Sequence, residues 1–484
     1  MNLERLATAL DPADVVRLAP VEVLGLAYDA RAVEPGFLFF CVPGTRADGH
    51  DFAGDAVARG AAALVVERPL ELDVPQLVVA DSRAAMAVAA DVFFGRPTHE
   101  LPVVGITGTN GKTTTSYLVH AILEAAGLHP GLLGTIETRI GDASRPAVRT
   151  TPEAIDLQHT FRAMLDAGNR SAAIEASSHA SELRRLDRVR FAALVFTNLT
   201  QDHLDFHETM ERYFEAKRRL FLGGEDIPPA AINVDDPYGS RLAAELLAVG
   251  HERLVRFGLG PGAELRPDEL DMTAAGTRLR IGELELSTRL HGRFNVLNVL
   301  GAVGAARLLG VTDEAIGAGV AALPGVPGRF EAVDEGQPFP VVVDYAHTPD
   351  SLENVLRSAR ELAEGRLICV FGCGGDRDRG KRPLMGAIAA ELADLPLVTT
   401  DNPRSERPED IVAEILAGAE PGTLEVELDR RTAIERAIGT AVAGDVVVIA
   451  GKGHEQGQEI DGVKHPFDDR EVARAALRKT RTAT

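Results

Sequence analysis

Cysteine is scarce: the chain of 484 residues holds three, Cys41, Cys369 and Cys373. That excludes a disulfide framework and fits a reducing compartment. Cys369 and Cys373 sit close together in "CVFGC", inside and just past a strand-like run, where two small core residues explain them better than a metal pair. No apolar run approaches the ~20 residues of a membrane span. The opening "MNLERLATALDPADVV" has neither the basic nor the apolar region of a signal peptide, so a cytoplasmic location is expected. Positive charge is also in deficit. The net charge of −21 argues against a nucleic-acid partner, because phosphate backbones select basic surfaces. Anionic small molecules remain open, given local basic pockets. There is no short-period repeat and no low-complexity tract.

What is present is ordinary globular chain, 45% hydrophobic and 25% charged. Its length suggests about three domains at roughly 150 residues each. Short Val/Leu runs alternate with Ala-rich helical stretches, which predicts an α/β fold with largely parallel sheets. Strands are expected at "FLFFCV", "AALVVE" and "QLVVA", with helices at "DFAGDAVARGA" and "SRAAMAVAADVFFG". "GRPTHELP" reads as a linker, and a second unit opens on "PVVGITG". The polar passage "GAELRPDELDMTAAGTRLRIGELELSTRL" predicts antiparallel strands, and "LPGVPGRFE" marks a second boundary and a hinge. The resulting domains are 1–99, 100–327 and 328–484.

The last unit carries four strands, "VVVDYA", "LICVFG", "LVTTD" and "VVVIAG". Each is followed by a polar cluster: "DYAHTPD", "GCGGDRDRGKRP", "DNPRSE" and "GKGHE". Ligands of open α/β sheets sit beyond the carboxyl ends of strands, so one shared pocket is expected; solvated loops are the plainer alternative.

"VVGITGTNGKTTTSYLVHAIL" reads as strand, glycine-bearing turn and amphipathic helix. Small residues let backbone N–H groups wrap a phosphate, Lys112 neutralises charge, and the following hydroxyl can ligate Mg²⁺. The usual first glycine falls on Ile106, with Gly105 and Gly108 flanking it. Mg²⁺ takes hard oxygen ligands. Glu175 ends one strand-like run, and "TNLTQDHLDFH" offers Asp202, His203, Asp205 and His207. The His203/His207 spacing also permits zinc, and a structural histidine is the plainer reading of either. In "MERYFEAKRRLF" an ammonium, Lys217, shares an apolar stripe with Met210, Tyr213, Ala216, Leu220 and Phe221. Snorkelling, with the stem buried and the head in water, is the general explanation. The other is chemical: burial disfavours the charged form of lysine, and a neutral amine can add CO₂ to become an anionic carbamate. Spacing alone leaves both open.

In order along the chain, "GITGTNGKTTT", "IEASSHA", "FTNLTQDHLDFH", "YFEAKRRLF", "HGRFNVLN", "DYAHTPDSLE", "FGCGGDRDRGKRP", "DNPR" and "GKGHE" resemble the Mur ligases over nearly the whole length. Within that family the branch that adds the third amino acid of the peptidoglycan stem peptide is most similar. The resemblance implies an N-terminal α/β UDP-binding domain, a central P-loop ATPase domain with a mostly parallel sheet, and a C-terminal Rossmann-like domain. It implies ATP as co-substrate, held by Gly108, Thr109, Asn110, Gly111, Lys112, Thr113, Thr114, Asn295, Asn298, Arg329, Asp344 and His347. Two Mg²⁺ ions are expected on Thr113, Glu175, His203 and Lys217, the last as its carbamate. Lys112, Lys217, His203 and Glu175 make up the expected catalytic set.

The UDP-sugar-peptide, UDP-N-acetylmuramoyl-L-alanyl-D-glutamate, is expected on Asp29, Ala30, Arg31, Thr150, Thr151, Ser177 and Arg185. Ala30 stands where the family often has a serine that contacts uridine, so that contact departs from the pattern. The incoming amino acid is assigned to Arg377, Asp401, Asn402, Pro403, Arg404, Gly451 and Glu455. An arginine fork grips a carboxylate bidentately. Diaminopimelate has a carboxylate at its far end, whereas lysine has an ammonium that Arg404 would repel. The resemblance therefore implies ATP-driven addition of meso-diaminopimelate through an acyl phosphate, by a monomer. A lysine-adding relative, a folylpolyglutamate-synthetase-like ligase and a P-loop protein that hydrolyses nucleotide without ligation are the alternatives.

Overall fold

A computed structural model describes residues 1–484 except 18, 45, 46, 225, 274, 275, 483 and 484. The architecture is α/β with mostly parallel strands, as the alternating pattern predicts. The chain forms two compact units. The first comprises Met1–Thr107, Gly127–Leu194 and Ala216–Pro229, and the second Gly108–Ala126, Val195–Glu215 and Ala230–Thr484.

In the first unit, strands Gly25–Ala27, Phe37–Phe40, Ala63–Val66 and Gln76–Val78 pair in parallel, and Asp14–Val16 joins the edge antiparallel. The middle strands are buried on both faces, which is why they read as continuous apolar runs. One face packs on helix Ser82–Phe93 and the other on Ala53–Ala58, which is shorter than the sequence suggests because a 3₁₀ turn, Gly49–Phe52, precedes it. A second set pairs Val103–Thr107, Ser171–Glu175 and Pro130–Leu133 in parallel. A hairpin, Glu137–Ile140 with Ala143–Pro146, extends it antiparallel. Sequence reading missed this hairpin: its second strand is wholly exposed and lacks apolar alternation, leaving the Gly141–Asp142 turn as the signal.

In the second unit, Glu269–Thr273, Gly276–Ile281 and Leu284–Thr288 form the expected antiparallel sheet. The C-terminal sheet places Val341–Asp344, Val446–Ala450, Leu367–Phe371 and Leu395–Val398 side by side and parallel. Helices Pro349–Arg360, Lys381–Leu392 and Pro408–Leu416 cover one face, and Arg430–Thr440 and Asp469–Thr482 the other. That is a doubly wound layer, and parallel pairing puts all four polar clusters at one sheet edge. Among the described residues no helix is long and apolar enough to cross a membrane.

Candidate active site

The phosphate loop follows strand Val103–Thr107 and leads into helix Lys112–Ala125. Its curvature depends on two glycines. Gly111 has φ +85° and a Cβ there would lie 2.2 Å from Asn298 Oδ1; at Gly108, φ +149°, it would lie 1.8 Å from Thr197 Oγ1. Lys112 Nζ folds over the turn, donating to the carbonyls of Gly108 (3.0 Å) and Thr109 (2.8 Å). The segment after strand Phe191–Phe196 grips the loop from outside. Asn198 takes the Asn110 N–H on its Oδ1 (2.9 Å) and the Thr109 N–H on its carbonyl (2.9 Å), and Thr197 Oγ1 donates to Asn110 O (2.6 Å). Thr109 Oγ1 shares a hydrogen bond with Tyr213 OH (3.1 Å). Asn198 was not singled out from sequence, its only signal being proximity to the predicted loops; Tyr213 was read as a stripe residue and not as a partner of the loop.

Asn295 and Asn298, expected at the nucleotide, are buried and joined, Asn298 Nδ2 donating to Asn295 Oδ1 (2.9 Å). Asn298 Oδ1 accepts from Thr115 Oγ1 (3.3 Å), so this pair buttresses the loop helix. Arg329 stacks over the Tyr345 ring at 4.4 Å and donates from Nη2 to Thr113 Oγ1 (3.0 Å). Asp344 accepts from the Phe330 N–H (2.6 Å), and its burial pushes its pKa up to about 6 against the opposing pull of Arg329. Asn110 Nδ2 donates to Asp350 Oδ2 (2.6 Å), at the start of helix Pro349–Arg360.

His203 holds a left-handed backbone, φ +55°, a conformation that marks over-determined sites. Its Nε2 lies 3.3 Å from Asp202 Oδ2, and His347 Nε2 lies 3.9 Å from the same oxygen. Burial alone would raise the Asp202 pKa, but His203, His347 and Lys381 outweigh it and hold the carboxyl at about 2. His207 stacks on Tyr213 at 5.0 Å, the structural role that was the plainer reading. Among the described residues no cluster of three or more His, Cys, Asp or Glu forms a metal cage.

Lys217 lies on helix Met210–Leu222 with Tyr213, Phe214, Ala216 and Phe221, all buried. Its own exposure is 1%, which rules out snorkelling: the head is inside with the stem.

In the first unit, Glu175, Thr150, Thr151, Ser177 and Arg185 come together. Thr135 donates to the Glu175 carboxylate from N (2.7 Å) and Oγ1 (3.0 Å), and shares a bond with Thr150 Oγ1 (3.1 Å). Thr151 Oγ1 donates to Glu175 O (2.7 Å) and meets Ser177 Oγ at 3.1 Å; Arg185 Nη1 donates to Thr151 O (3.1 Å). Arg185, Arg149 and Arg83 converge on buried Glu153 at 2.7, 2.9 and 3.6 Å, a cationic cluster that sequence reading missed. Asp29 and Arg31 pair with each other (2.7 Å) around Ala30. The neighbouring Tyr28 OH, also missed, donates to Asp156 Oδ2 (2.7 Å).

At the C-terminal sheet edge the four polar clusters meet. Arg404 Nη1 donates to Gly375 O (2.6 Å), Asn402 O accepts from Gly375 N (2.9 Å), Lys452 bonds Asn402 (2.8 Å), and the Tyr345 and His454 rings lie 5.2 Å apart. Arg404 is left-handed, φ +52°, and its backbone is clasped by hairpin Gly457–Ile460/Val463–Pro466: its N–H donates to Glu459 O (3.0 Å) and its carbonyl accepts from Asp461 N (2.8 Å). Pro403 is buried beside it, Arg377 is exposed, and Gly451 takes φ +119° with a virtual Cβ 3.2 Å from Asp401 Oδ2. Behind the pocket Arg430 and Asp469 form a wholly buried ion pair (2.6 Å), and Arg430 ties the Thr400 (3.3 Å) and Ala450 (2.9 Å) carbonyls.

The sequence matches three family models: one described as Mur ligase family, catalytic domain, over residues 22–93; the Mur ligase middle domain over 106–306; and the Mur ligase glutamate ligase domain over 328–453. It is 47% identical to a UDP-N-acetylmuramoyl-L-alanyl-D-glutamate–2,6-diaminopimelate ligase of Geobacter metallireducens, across 99% of both chains. A protein of the same name from Geobacillus kaustophilus is 49% identical across 95% of both. A solved structure bearing that name is 34% identical, covers 98% of each chain and superposes with a TM-score of 0.68.

Proposed function

Because this chain belongs to the Mur ligase family and is an ATP-dependent ligase, we propose that it joins meso-diaminopimelate to UDP-N-acetylmuramoyl-L-alanyl-D-glutamate in peptidoglycan synthesis. The observation that carries the amino-acid assignment is Arg404, held at the strand-end turn that also carries Asp401 and Asn402, with Nη1 on Gly375 O (2.6 Å) and Nε on Glu459 Oε2 (3.2 Å). A guanidinium there complements the distal carboxylate of diaminopimelate and opposes the ammonium of lysine. Domains 1–99, 100–327 and 328–484 are assigned to the UDP end, to ATP and to the amino acid.

The loop glycines and the helix N-terminus at Lys112 bind and orient the triphosphate, and Lys112 turns from the loop carbonyls to the phosphate. Phosphoryl transfer needs charge neutralisation and alignment more than covalent help. The γ-phosphoryl passes to the D-glutamate carboxylate, giving an acyl phosphate and ADP. The neutral amine of diaminopimelate attacks the acyl carbon, and the tetrahedral intermediate expels phosphate to leave the amide. Thr150, Thr151, Ser177 and Arg185 hold the UDP-sugar-peptide. Thr113, Glu175, His203 and Lys217, the last as its carbamate, are the residues that would hold divalent cations: hydroxyl, carboxylate and carbamate oxygens are hard donors, and burial disfavours the charged ammonium of Lys217. When bound, two Mg²⁺ ions supply neutralisation of the transferring phosphoryl charge. A cytoplasmic monomer is part of the same reading.

Phosphate release tests it, with the UDP-dipeptide or a folate as acceptor. Turnover that requires both the UDP-dipeptide and diaminopimelate is expected. Folate-dependent turnover supports the polyglutamylating alternative, and turnover without any amino acid supports a simple nucleotidase.

A further inference from the structure

Lys452, the second residue of "GKGHE", is not among the residues assigned above, yet its exposure is 0%. Its ammonium donates to Asn402 Oδ1 (2.8 Å), Glu455 Oε2 (3.1 Å) and Asp401 Oδ1 (3.4 Å). Those three acceptors belong to residues assigned to the incoming amino acid. Asn402 is locked in one orientation: its Oδ1 is taken by Lys452 and by the Glu459 N–H (3.0 Å), and its Nδ2 donates to Glu455 Oε2 (2.9 Å). What this leaves is specific. Among the described residues, Asp401 Oδ2 and Glu455 Oε1 have no hydrogen-bond partner, and each belongs to a carboxylate whose other oxygen is fixed on Lys452.

We infer that Lys452 is a positioning residue that builds a receptor for the distal ammonium of the incoming amino acid, by holding Asp401 and Glu455 so that one oxygen of each stays open to it. The geometry supports this: among the described residues Lys452 is the one ammonium bonded to both Asp401 and Glu455, while Arg430, behind Asp401, is paired with Asp469. Arg404 takes the distal carboxylate, so both groups on the far stereocentre find partners of opposite charge. Without Lys452, two carboxylates and an amide oxygen face each other with no cation between them; Asn402 is free to turn over and the carboxylates to move apart. The inference deepens the proposed function and rests on its assignment of the amino-acid pocket.

The test compares meso-diaminopimelate with 2-aminopimelate, which keeps the reacting amine and the distal carboxylate but lacks the distal ammonium. Wild-type enzyme is expected to favour diaminopimelate by about a hundredfold in kcat/KM, because the analogue leaves buried charges unpaired. In Lys452→Met the preference should fall below about threefold, with the KM for ATP within about twofold of wild type. A merely structural role would lower activity on both amines alike, and an unchanged preference overturns the inference. Should Lys452→Met not fold, Glu455→Gln keeps the acceptor facing Lys452 and removes the charge of the open oxygen. It should narrow the same preference, and full discrimination in that variant also overturns the inference. Wild-type turnover with diaminopimelate upholds the proposed reaction whatever the variants do. Wild-type enzyme that couples no amine overturns both.

Discussion

Lys217 places a buried nitrogen on an apolar helix face. Lys217 was visible in the sequence as a cation on the wrong stripe, and spacing could not choose between snorkelling and modification; its 1% exposure removes the first. As a carbamate it should add the mass of one CO₂ to the intact protein, and Lys217→Ala should lower kcat by at least about a hundredfold. An unmodified mass together with full activity in the variant would remove Lys217 from the mechanism. Arg404 was legible because its motif is distinctive, but its left-handed backbone was not. Arg404→Ala should lower kcat/KM for diaminopimelate by about a hundredfold while leaving the KM for ATP within about twofold, since the loss is one charge-assisted fork. Lys452 and Asn198 escaped the sequence reading for a common reason. Their importance lies in what they touch across the chain, and no local pattern encodes it.

Among elements, the phosphate loop was read from strand, turn and helix, although its first glycine is displaced. Its geometry explains the tolerance: Gly108 and Gly111 are the positions whose φ and close neighbours demand glycine. Gly108→Ala should impose about 1–3 kcal/mol of backbone strain before any clash with Thr197, seen as a lowered Tm and weakened ATP binding. Unchanged ATP affinity would contradict the loop assignment. The hairpin Gly457–Ile460/Val463–Pro466 was missed although its turn carried a signal, Asp461–Gly462, with φ of +49° and +75° suited to a tight two-residue connection. It matters because it clasps Arg404. The loop after strand Leu367–Phe371 is braced by Arg382, fully buried, which bonds Glu406 (2.8 Å), Glu414 (2.9 Å) and Gly374 O (3.1 Å). The Arg382 hydrogen bond holds Glu406 at about 2, below its ordinary 4.5. A lowered folded-state pKa stabilises above the unfolded value, and that stability is lost as pH falls from 4.5 toward 2. Urea titrations across that window should show wild type losing stability more steeply than Glu406→Gln; parallel slopes would contradict the brace.

Across the molecule, the class of fold, the parallel sheets and the convergence of four strand-end clusters all followed from the alternation of apolar runs and from where the polar clusters fell. The links within the second unit did not. There the glycine loop and the strand-end cluster are joined by a short run of contacts: Thr113 to Arg329 (3.0 Å), the adjoining Gly328 packed on Gly453 and His454, and Lys452 to Asn402 (2.8 Å). A second link runs from Asn110 to Asp350 (2.6 Å). Gly328 shows why such links are illegible in sequence: a Cβ there would fall 2.0 Å from His454 N, a contact between residues more than a hundred positions apart in the chain. The most direct test is phosphate release from ATP and Mg²⁺ with the UDP-dipeptide, comparing meso-diaminopimelate, LL-diaminopimelate and L-lysine. Release should depend on diaminopimelate and be at least about a hundredfold slower with L-lysine; equal or faster release with L-lysine would overturn the assignment of diaminopimelate as the substrate.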